Sequence, residues 1–291
     1  MKKLSFIKRS NGSHWVGDGF PVRNIFSYDD LAKELSPFLL LDYAGPFHFP
    51  PTQNKLGVGE HPHRGFETVT IVYQGEVEHR DSAGGGGKIG PGEVQWMTAA
   101  SGLVHEEFHG TEFAKSGGIF EIIQLWVNLP AEFKKSAPRY QGITKEQIPE
   151  VALPEEAGTL RVIAGQYDTR VGPAQTFSPM NIWDIRIQAG KRATFQVTPG
   201  FTTSIFLLNG SIRFPGKTTE ETIVKVAELA VLEREGDQFT IDAVDQSTLL
   251  ILNGKPLNEP IIGRGPFVMN THAEIEQAMR DYQSGKMGRL N

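Results

Sequence analysis

Hydrophobic and polar residues alternate in short runs along most of the chain, and turns rich in glycine and proline separate these runs. Alternation with a period of two, bounded by such turns, predicts β-strands. In the first half the predicted strands are Phe66–Tyr73, Glu76–Asp81, Glu93–Thr98, Leu103–Phe108 and Ile119–Leu129. In the second half they are Leu160–Ala164, Asn181–Gln188, Arg192–Val197, Thr203–Leu208, Ser211–Phe214, Ala230–Glu233, Gln238–Ile241 and Ser247–Leu252. Many short strands at regular spacing predict an all-β fold built as a sandwich or barrel.

Two segments have helical periodicity. Asp29–Leu35 is short and follows Ser27, which is a candidate N-cap residue. Thr271–Ser284 is amphipathic, and Thr271 and Glu274 have the spacing of a capping box. The sequence therefore predicts one short internal helix and one terminal helix in an otherwise β-rich chain.

The two series of strands predict two domains. A length of 291 residues fits two domains at the usual size of about 150 residues each. A polar stretch containing Pro138, Pro149 and Pro154 separates the two series. We therefore predict an N-terminal domain over 1–134, a linker over 135–156, and a C-terminal domain with the terminal helix over 157–291.

The second series resembles a copy of the first. Without a gap, the segment that starts at His61 aligns with the segment that starts at Gln196. The identical pairs are Gly65/Gly200, Phe66/Phe201, Thr68/Thr203 and Gly75/Gly210, and Gly92-Glu93 matches Gly236-Asp237 further on. This alignment pairs His61 with Gln196, His63 with Thr198 and Glu67 with Thr202. Counting thirteen positions from Gly92 and from Gly236 pairs His105 with Leu249 and, two positions later, Glu107 with Ile251. Any metal site made from these histidines and carboxylates is therefore expected in the N-terminal half alone.

Composition narrows the class of protein. A net charge of −5 without a lysine or arginine run argues against a dedicated nucleic-acid binder. The absence of cysteine excludes disulfides, thiolate zinc sites and cysteine nucleophiles. No apolar run approaches the ~20 residues of a membrane span, and the basic start lacks the apolar core of a signal peptide. We expect a cytoplasmic monomer that binds neither membranes nor, directly, nucleic acid.

Histidines and carboxylates at strand spacing predict a metal centre. Residues two apart on a strand face the same side, so His61 and His63 present two imidazoles together. His105 and Glu107 repeat this spacing on a later strand, and Glu67 shares the parity of His61. Three imidazoles with a carboxylate suit a divalent transition metal such as Fe(II), Mn, Ni, Cu or Zn. The spacing alone leaves open whether Glu67 or Glu107 is the carboxylate ligand.

The motifs around these residues strongly resemble the pirin family, which are iron-binding proteins with two cupin domains. The resemblance rests on His61-Pro-His-Arg-Gly-Phe-Glu-Thr-Val-Thr, Gly75-Glu-Val-Glu-His-Arg-Asp-Ser, Gly84 to Gly87, and Gly90-Pro-Gly-Glu-Val-Gln-Trp-Met-Thr-Ala. It implies two tandem cupin (jelly-roll) β-barrels, with one metal, most simply Fe(II), on His61, His63, His105 and Glu107. Cupins in general would use Glu67 instead. We favour Glu107 as the ligand and expect Glu67 to orient a histidine.

The resemblance implies two alternative functions. The first is a quercetin 2,3-dioxygenase, which cleaves a flavonol with O2 and in which Glu107 or Glu67 accepts the substrate hydroxyl proton. The second is a metal-bearing regulatory protein that acts on protein partners such as transcription factors. For the enzyme, the candidate walls of an apolar pocket are Phe66, Trp96, Met97, Phe47 and Phe49, and the alternative for each is ordinary barrel core. His79 is expected to be structural or exposed.

Overall fold

A computed structural model describes residues 1–10, 12–215 and 222–290. Its contacts divide the chain into two compact units that are not consecutive in sequence. We call residues 11–32, 38–145 and 257–291 the N-terminal unit, and residues 1–10, 33–37 and 146–256 the C-terminal unit. The predicted boundaries at 134 and 156 divide the chain in sequence order and stay a prediction. By their contacts, residues 1–10 belong to the C-terminal unit and residues 257–291 belong to the N-terminal unit.

The N-terminal unit consists of two main antiparallel sheets around a common core. Its strands are β2 (His14–Val16), β3 (Phe20–Phe26), β4 (Phe38–Phe49), β5 (Gly57–His63), β6 (Phe66–Gln74), β7 (Val77–Asp81), β8 (Gly86–Ile89), β9 (Val94–Thr98), β10 (Leu103–His109), β11 (Gly118–Asn128), β12 (Arg139–Ile143), β25 (Ile262–Arg264) and β26 (Phe267–Met269). The large sheet has the order β12-β9-β6-β11-β4-β3-β2, and the small sheet has the order β5-β10-β7-β8. Apolar residues from both sheets, among them Val22, Val72 and Val77, pack into one cluster between them.

The C-terminal unit has the same plan. Its strands are β1 (Leu4–Arg9), β13 (Glu150–Ala152), β14 (Gly158–Ala164), β15 (Gln166–Tyr167), β16 (Arg170–Val171), β17 (Met180–Ile187), β18 (Arg192–Gln196), β19 (Thr202–Asn209), β20 (Ser211–Arg213), β21 (Ile223–Lys225), β22 (Glu228–Leu232), β23 (Gln238–Ala243) and β24 (Ser247–Gly254). The large sheet has the order β1-β22-β19-β24-β17-β14-β13, and the small sheet has the order β18-β23-β20-β21. Each sheet therefore matches its counterpart in the other unit strand for strand.

The helices are few and short: α1 (Ala32–Leu35), α2 (Thr111–Ser116) and α3 (His272–Gln283). The terminal helix α3 begins as predicted, because Thr271 and Glu274 form both hydrogen bonds of the capping box. The internal helix is shorter than predicted, since the chain before Ala32 forms a turn in which Asp30 Oδ1 accepts from Ser27 N at 2.8 Å. Among the described residues, no helix is long and apolar enough to span a membrane.

The terminal segment packs on the N-terminal unit. Ile275 and Ala278 of α3 share a buried cluster with Val104 of β10 and with Phe267 of β26. Within the predicted linker, β12 adds an edge strand to the large sheet of this unit through its pairing with β9. The fold is therefore all-β as predicted, with the C-terminal residues placed beside the strand that carries His105.

Candidate metal centre

Two adjacent strands of the small sheet bring the predicted histidines together. β5 carries His61 and His63, β10 carries His105, and the antiparallel register sets His105 opposite His61. The ring centroid of His105 lies 4.2 Å from that of His61 and 4.8 Å from that of His63. One nitrogen from each of the three rings lies within 4.8 Å of the other two. The strand parity in the sequence thus located this cluster.

Each of the three rings has its Nδ1 atom occupied by a hydrogen bond. In His61, Nδ1 lies 2.8 Å from the carbonyl oxygen two residues earlier. In His63, Nδ1 lies 3.4 Å from the carbonyl oxygen of Pro266, which belongs to the terminal segment. In His105, Nδ1 lies 3.2 Å from Nδ1 of His79. This pattern leaves the Nε2 atom of every ring for another partner, which is how metal-binding histidines are commonly held.

The electrostatics of the cluster fit a metal. Burial, reinforced by the neighbouring histidines, holds the pKa of both His63 and His105 well below the ordinary value. Both rings are therefore neutral and offer a lone pair. Nε2 of His105 is buried and has no hydrogen-bond partner among the described residues, an arrangement that is unfavourable unless something binds there. Neutral imidazoles with this orphaned nitrogen fit a divalent transition metal.

Glu107 lies on β10 beside the cluster and is held by the large sheet. It forms a second group with His79 and His105, in which one potential ligand atom of each residue lies within 4.8 Å of the others. Its Oε1 accepts from Gln95 Nε2 and its Oε2 accepts from Gln124 Nε2, both at 2.9 Å. Gln95 and Gln124 flank Thr70 on adjacent strands, so all three form one row across the sheet. Tyr140 fixes the amide of Gln95, since its hydroxyl donates to Gln95 Oε1 at 3.2 Å. Thr70 Oγ1 also donates to Oε1 at 3.4 Å, so the carboxylate has a fixed orientation and its Oε2 keeps a free lone pair.

Glu67 lies on the opposite face of that sheet. It precedes Thr70 by three positions on β6, and residues an odd number apart face opposite sides. Its Oε1 accepts from Thr98 Oγ1 at 2.7 Å, and burial raises its pKa to about 7. Among the described residues Glu67 belongs to neither group that could hold a metal. The alternation of side-chain faces along β5, counted from His63, does not continue to Glu67, because Gly65 at φ +91° separates β5 from β6.

A cavity of about 380 Å³ opens beside the histidines. It is lined by Val16, Phe20, Val22, Asp42, Ala44, Val58, His61, His63, Glu107, Ile122, Gln124 and Trp126. The predicted wall residues Phe66, Trp96 and Met97 are fully buried and are absent from this lining. Phe66 instead stacks on Trp126 with ring centroids 4.3 Å apart, so it supports the wall from behind. Phe47 and Phe49 do not line the cavity either.

Sequence reasoning missed two residues behind the histidines. His79, expected to be structural or exposed, is buried and contacts His105. Its Nε2 lies 3.2 Å from Oδ2 of Asp81. Burial raises the pKa of Asp81, but hydrogen bonds from His79 and from the following turn outweigh that effect, so the pKa is lowered overall. The signal was available, because His79 and Asp81 have the same two-residue spacing as His61 and His63.

The corresponding strands of the C-terminal unit carry apolar residues. β18 and β23 take the places of β5 and β10 in the small sheet. The residues that these two strands contribute to the buried apolar cluster are Ala193, Phe195, Phe239, Ile241 and Ala243. The residues predicted to correspond to the metal ligands lie elsewhere. Gln196 lies on the exposed face of β18, and Leu249 and Ile251 belong to β24, which is the counterpart of β11. The pairing of His105 with Leu249 and of Glu107 with Ile251 was therefore wrong, yet the core residues of β18 and β23 are apolar all the same.

Comparison with known families agrees with this architecture. Residues 19–127 match the family model described as Pirin, and residues 182–288 match the Pirin C-terminal cupin domain. The chain belongs to the pirin family. Two cupin domains in tandem therefore account for the repeat, as predicted.

Individual relatives extend over the whole chain. A pirin-family protein of Pseudomonas aeruginosa named "Putative quercetin 2,3-dioxygenase" is 53% identical over 291 residues, which is 100% of both chains. The human protein named Pirin is 36% identical over 291 residues, which covers 98% of this chain and 93% of that one. A crystal structure described as quercetin 2,3-dioxygenase from Acinetobacter baumannii superposes with a TM-score of 0.96 at 52% identity and covers 100% of both chains.

Proposed function

We propose that this pirin-family protein is a metal-dependent dioxygenase that cleaves flavonols such as quercetin with O2. The observation that carries the proposal is the position of the histidine cluster. His61, His63 and Glu107 line a mostly apolar cavity, in which a ligand can contact the metal-binding atoms directly. The names of the relatives from Pseudomonas aeruginosa and Acinetobacter baumannii support the same reaction class.

In this proposal His61, His63, His105 and Glu107 hold one metal ion, most simply Fe(II). When bound, such an ion supplies a Lewis acid and a template for the substrate and O2. Three imidazole ligands with one carboxylate ligand suit a divalent transition-metal ion. The side chains that β18 and β23 contribute to the core of the C-terminal unit are apolar and offer no such ligand atoms.

The protein's own groups act on the substrate in three ways. Trp126 and the aliphatic residues of the cavity bind a flat aromatic molecule and exclude water. Glu107 accepts the proton of the flavonol 3-hydroxyl, for which its fixed orientation and the free lone pair on Oε2 are suited. Gln124, which lines the cavity and donates to Glu107, keeps the carboxylate in place during this transfer. Glu67 has no part in the reaction because it lies on the other face of the sheet.

The test is oxidative cleavage of quercetin by purified protein. Protein loaded with Fe(II) in air should bleach the flavonol absorbance and release carbon monoxide, and protein stripped of metal should do neither. His63→Ala is the matched variant, since it removes one imidazole from the cavity wall. Iron-loaded protein that leaves quercetin unchanged, where a known quercetinase consumes it, would favour the alternative of a regulatory protein with the same metal site.

A further inference from the structure

A chain of hydrogen bonds leads from His105 away from the cavity. Nδ1 of His105 lies 3.2 Å from Nδ1 of His79, and Nε2 of His79 lies 3.2 Å from Oδ2 of Asp81. The side chains of His79 and Asp81 are 0% and 1% exposed. Tyr140 covers the ring of His79, with ring centroids 5.1 Å apart and an angle of 14° between the planes. The chain is therefore sealed from solvent along its length.

The far end of the chain is anchored by a turn. Oδ1 of Asp81 accepts from the backbone N–H of Ala83 at 2.8 Å and from that of Gly85 at 2.9 Å. Oδ2 is thus the oxygen that faces His79. A carboxylate can only accept hydrogen bonds, so Asp81 requires that His79 carry its proton on Nε2.

This requirement passes through His79 to the metal centre. A neutral imidazole has one N–H and one lone pair, so a proton on Nε2 of His79 makes its Nδ1 an acceptor. His105 must then donate from Nδ1, which places the lone pair of His105 on Nε2. That is the atom which the structure leaves buried without a hydrogen-bond partner among the described residues.

We propose that Asp81 and His79 are positioning residues that lock His105 into the tautomer able to bind metal. Asp81 sets the direction of the hydrogen bonds, and His79 transmits it. This inference rests on the proposed role of His105 as a ligand, but the tautomer itself is a property of the protein before any metal binds. The same chain holds the His105 ring in a fixed orientation toward His61 and His63.

The decisive variant is Asp81→Asn. The two backbone N–H groups of the turn can only be accepted by the amide oxygen, so the amide nitrogen would face Nε2 of His79. This NH₂ group donates where the carboxylate accepted, and the direction of both hydrogen bonds reverses. His105 would then carry its proton on Nε2, which blocks the metal-binding atom while changing no side-chain volume appreciably.

The experiment measures the tautomer and the metal affinity separately. Long-range ¹H–¹⁵N NMR spectra of the metal-free protein should show His105 protonated on Nδ1 in the wild type and on Nε2 in Asp81→Asn. Competition with a chelator for Co(II) should show an affinity about 10 to 100-fold lower in Asp81→Asn. Asp30→Asn is the matched control, because Asp30 also accepts from a turn amide but lies before α1, outside the chain of Asp81, His79 and His105, and it should leave both readings unchanged.

Two further outcomes separate positioning from simple structural support. His79→Phe keeps an aromatic ring against Tyr140 but removes the acceptor for His105, so it should lower Co(II) affinity without lowering the thermal midpoint in proportion. The proposal is overturned if His105 keeps its Nδ1 proton in Asp81→Asn, or if the wild-type ring is protonated on Nε2. A wild-type protein with the expected tautomer that binds no metal would instead contradict the proposed function.

Discussion

The two units differ most clearly at one cross-strand pair. In the N-terminal unit His61 of β5 is opposite His105 of β10, with ring centroids 4.2 Å apart. In the C-terminal unit Phe195 of β18 is opposite Phe239 of β23, with ring centroids 5.3 Å apart. Each pair joins the first and second strands of the small sheet of its own unit. The strand order is shared, so the side chains at these positions, and not the scaffold, decide which unit can hold a metal.

The interiors of the two units also contribute differently to the stability of the protein and to its chemistry. The aromatic pair of the C-terminal unit belongs to a large apolar cluster, which stabilises the fold by burying hydrocarbon surface. The histidine pair replaces such surface with polar atoms that need partners, among them Nδ1 of His105 and its bond to His79. One copy of the domain therefore serves stability, while the other retains polar residues that are useful for chemistry.

The largest expected effect comes from removing a histidine. His63→Ala should abolish metal retention and quercetin turnover while leaving the strands folded, because the apolar cluster that packs the two sheets together stays intact. Metal content by mass spectrometry, with circular dichroism as the folding control, measures this. Full metal content in the folded variant would contradict the assigned cluster.

Truncating one residue of the aromatic pair should have the opposite effect, which is a loss of stability without a loss of metal. Phe239→Ala opens a cavity in the core of the C-terminal unit and should destabilise it by about 3–5 kcal/mol. Chemical denaturation measures the loss, and the metal content of the folded protein should remain that of the wild type. Loss of metal from folded Phe239→Ala would show that the two interiors are not independent in function.

The two carboxylates should behave differently. Glu107→Gln removes the charge that Gln95 and Gln124 hold at the site, so it should weaken metal retention more than the ~10 to 100-fold typical of a residue beside a ligand. Glu67→Gln, on the other face of the sheet, should leave metal affinity nearly unchanged. Chelator competition measures both variants, and the reverse order would restore the general cupin pattern.

The smallest effect concerns pH. Burial raises the pKa of Glu67 from 4.5 to about 7, so between these values the folded protein keeps a proton that the unfolded chain has lost. Stability should therefore fall as pH rises through this window, by about 1–2 kcal/mol between pH 5 and 6.5. Urea denaturation of metal-free wild type and Glu67→Gln should show this slope only in the wild type. An equal slope in both would assign it to other groups.

The alternating strands were the most predictable part of the fold. β6, β9 and β10 were predicted to within a few residues, since each has one clear face or a turn at both ends. β4 was missed because Phe38–Phe49 contains Gly45 and Pro46, which interrupt its period. The return of residues 257–291 to the N-terminal unit depends on tertiary packing and left no local pattern.

The site was predictable where strand parity held unbroken. His61, His63 and His105 came from that rule, and so did Glu107. The rule failed at Glu67, where Gly65 interrupts the strand, and Gln196, the predicted counterpart of His61, lies on the exposed face of β18. Pro266, whose carbonyl faces His63, lies 203 residues from it in sequence, so no local motif could have indicated the contact.

The most direct test of the central claim is the number of metal ions per chain. Wild-type protein reconstituted with Fe(II) under anaerobic conditions should bind one equivalent, and anomalous scattering from its crystals should place that ion among His61, His63 and His105. His63→Ala should bind none. Two equivalents per folded chain, or an ion beside Phe195 and Phe239, would contradict a division of labour between a metal-binding unit and an apolar one.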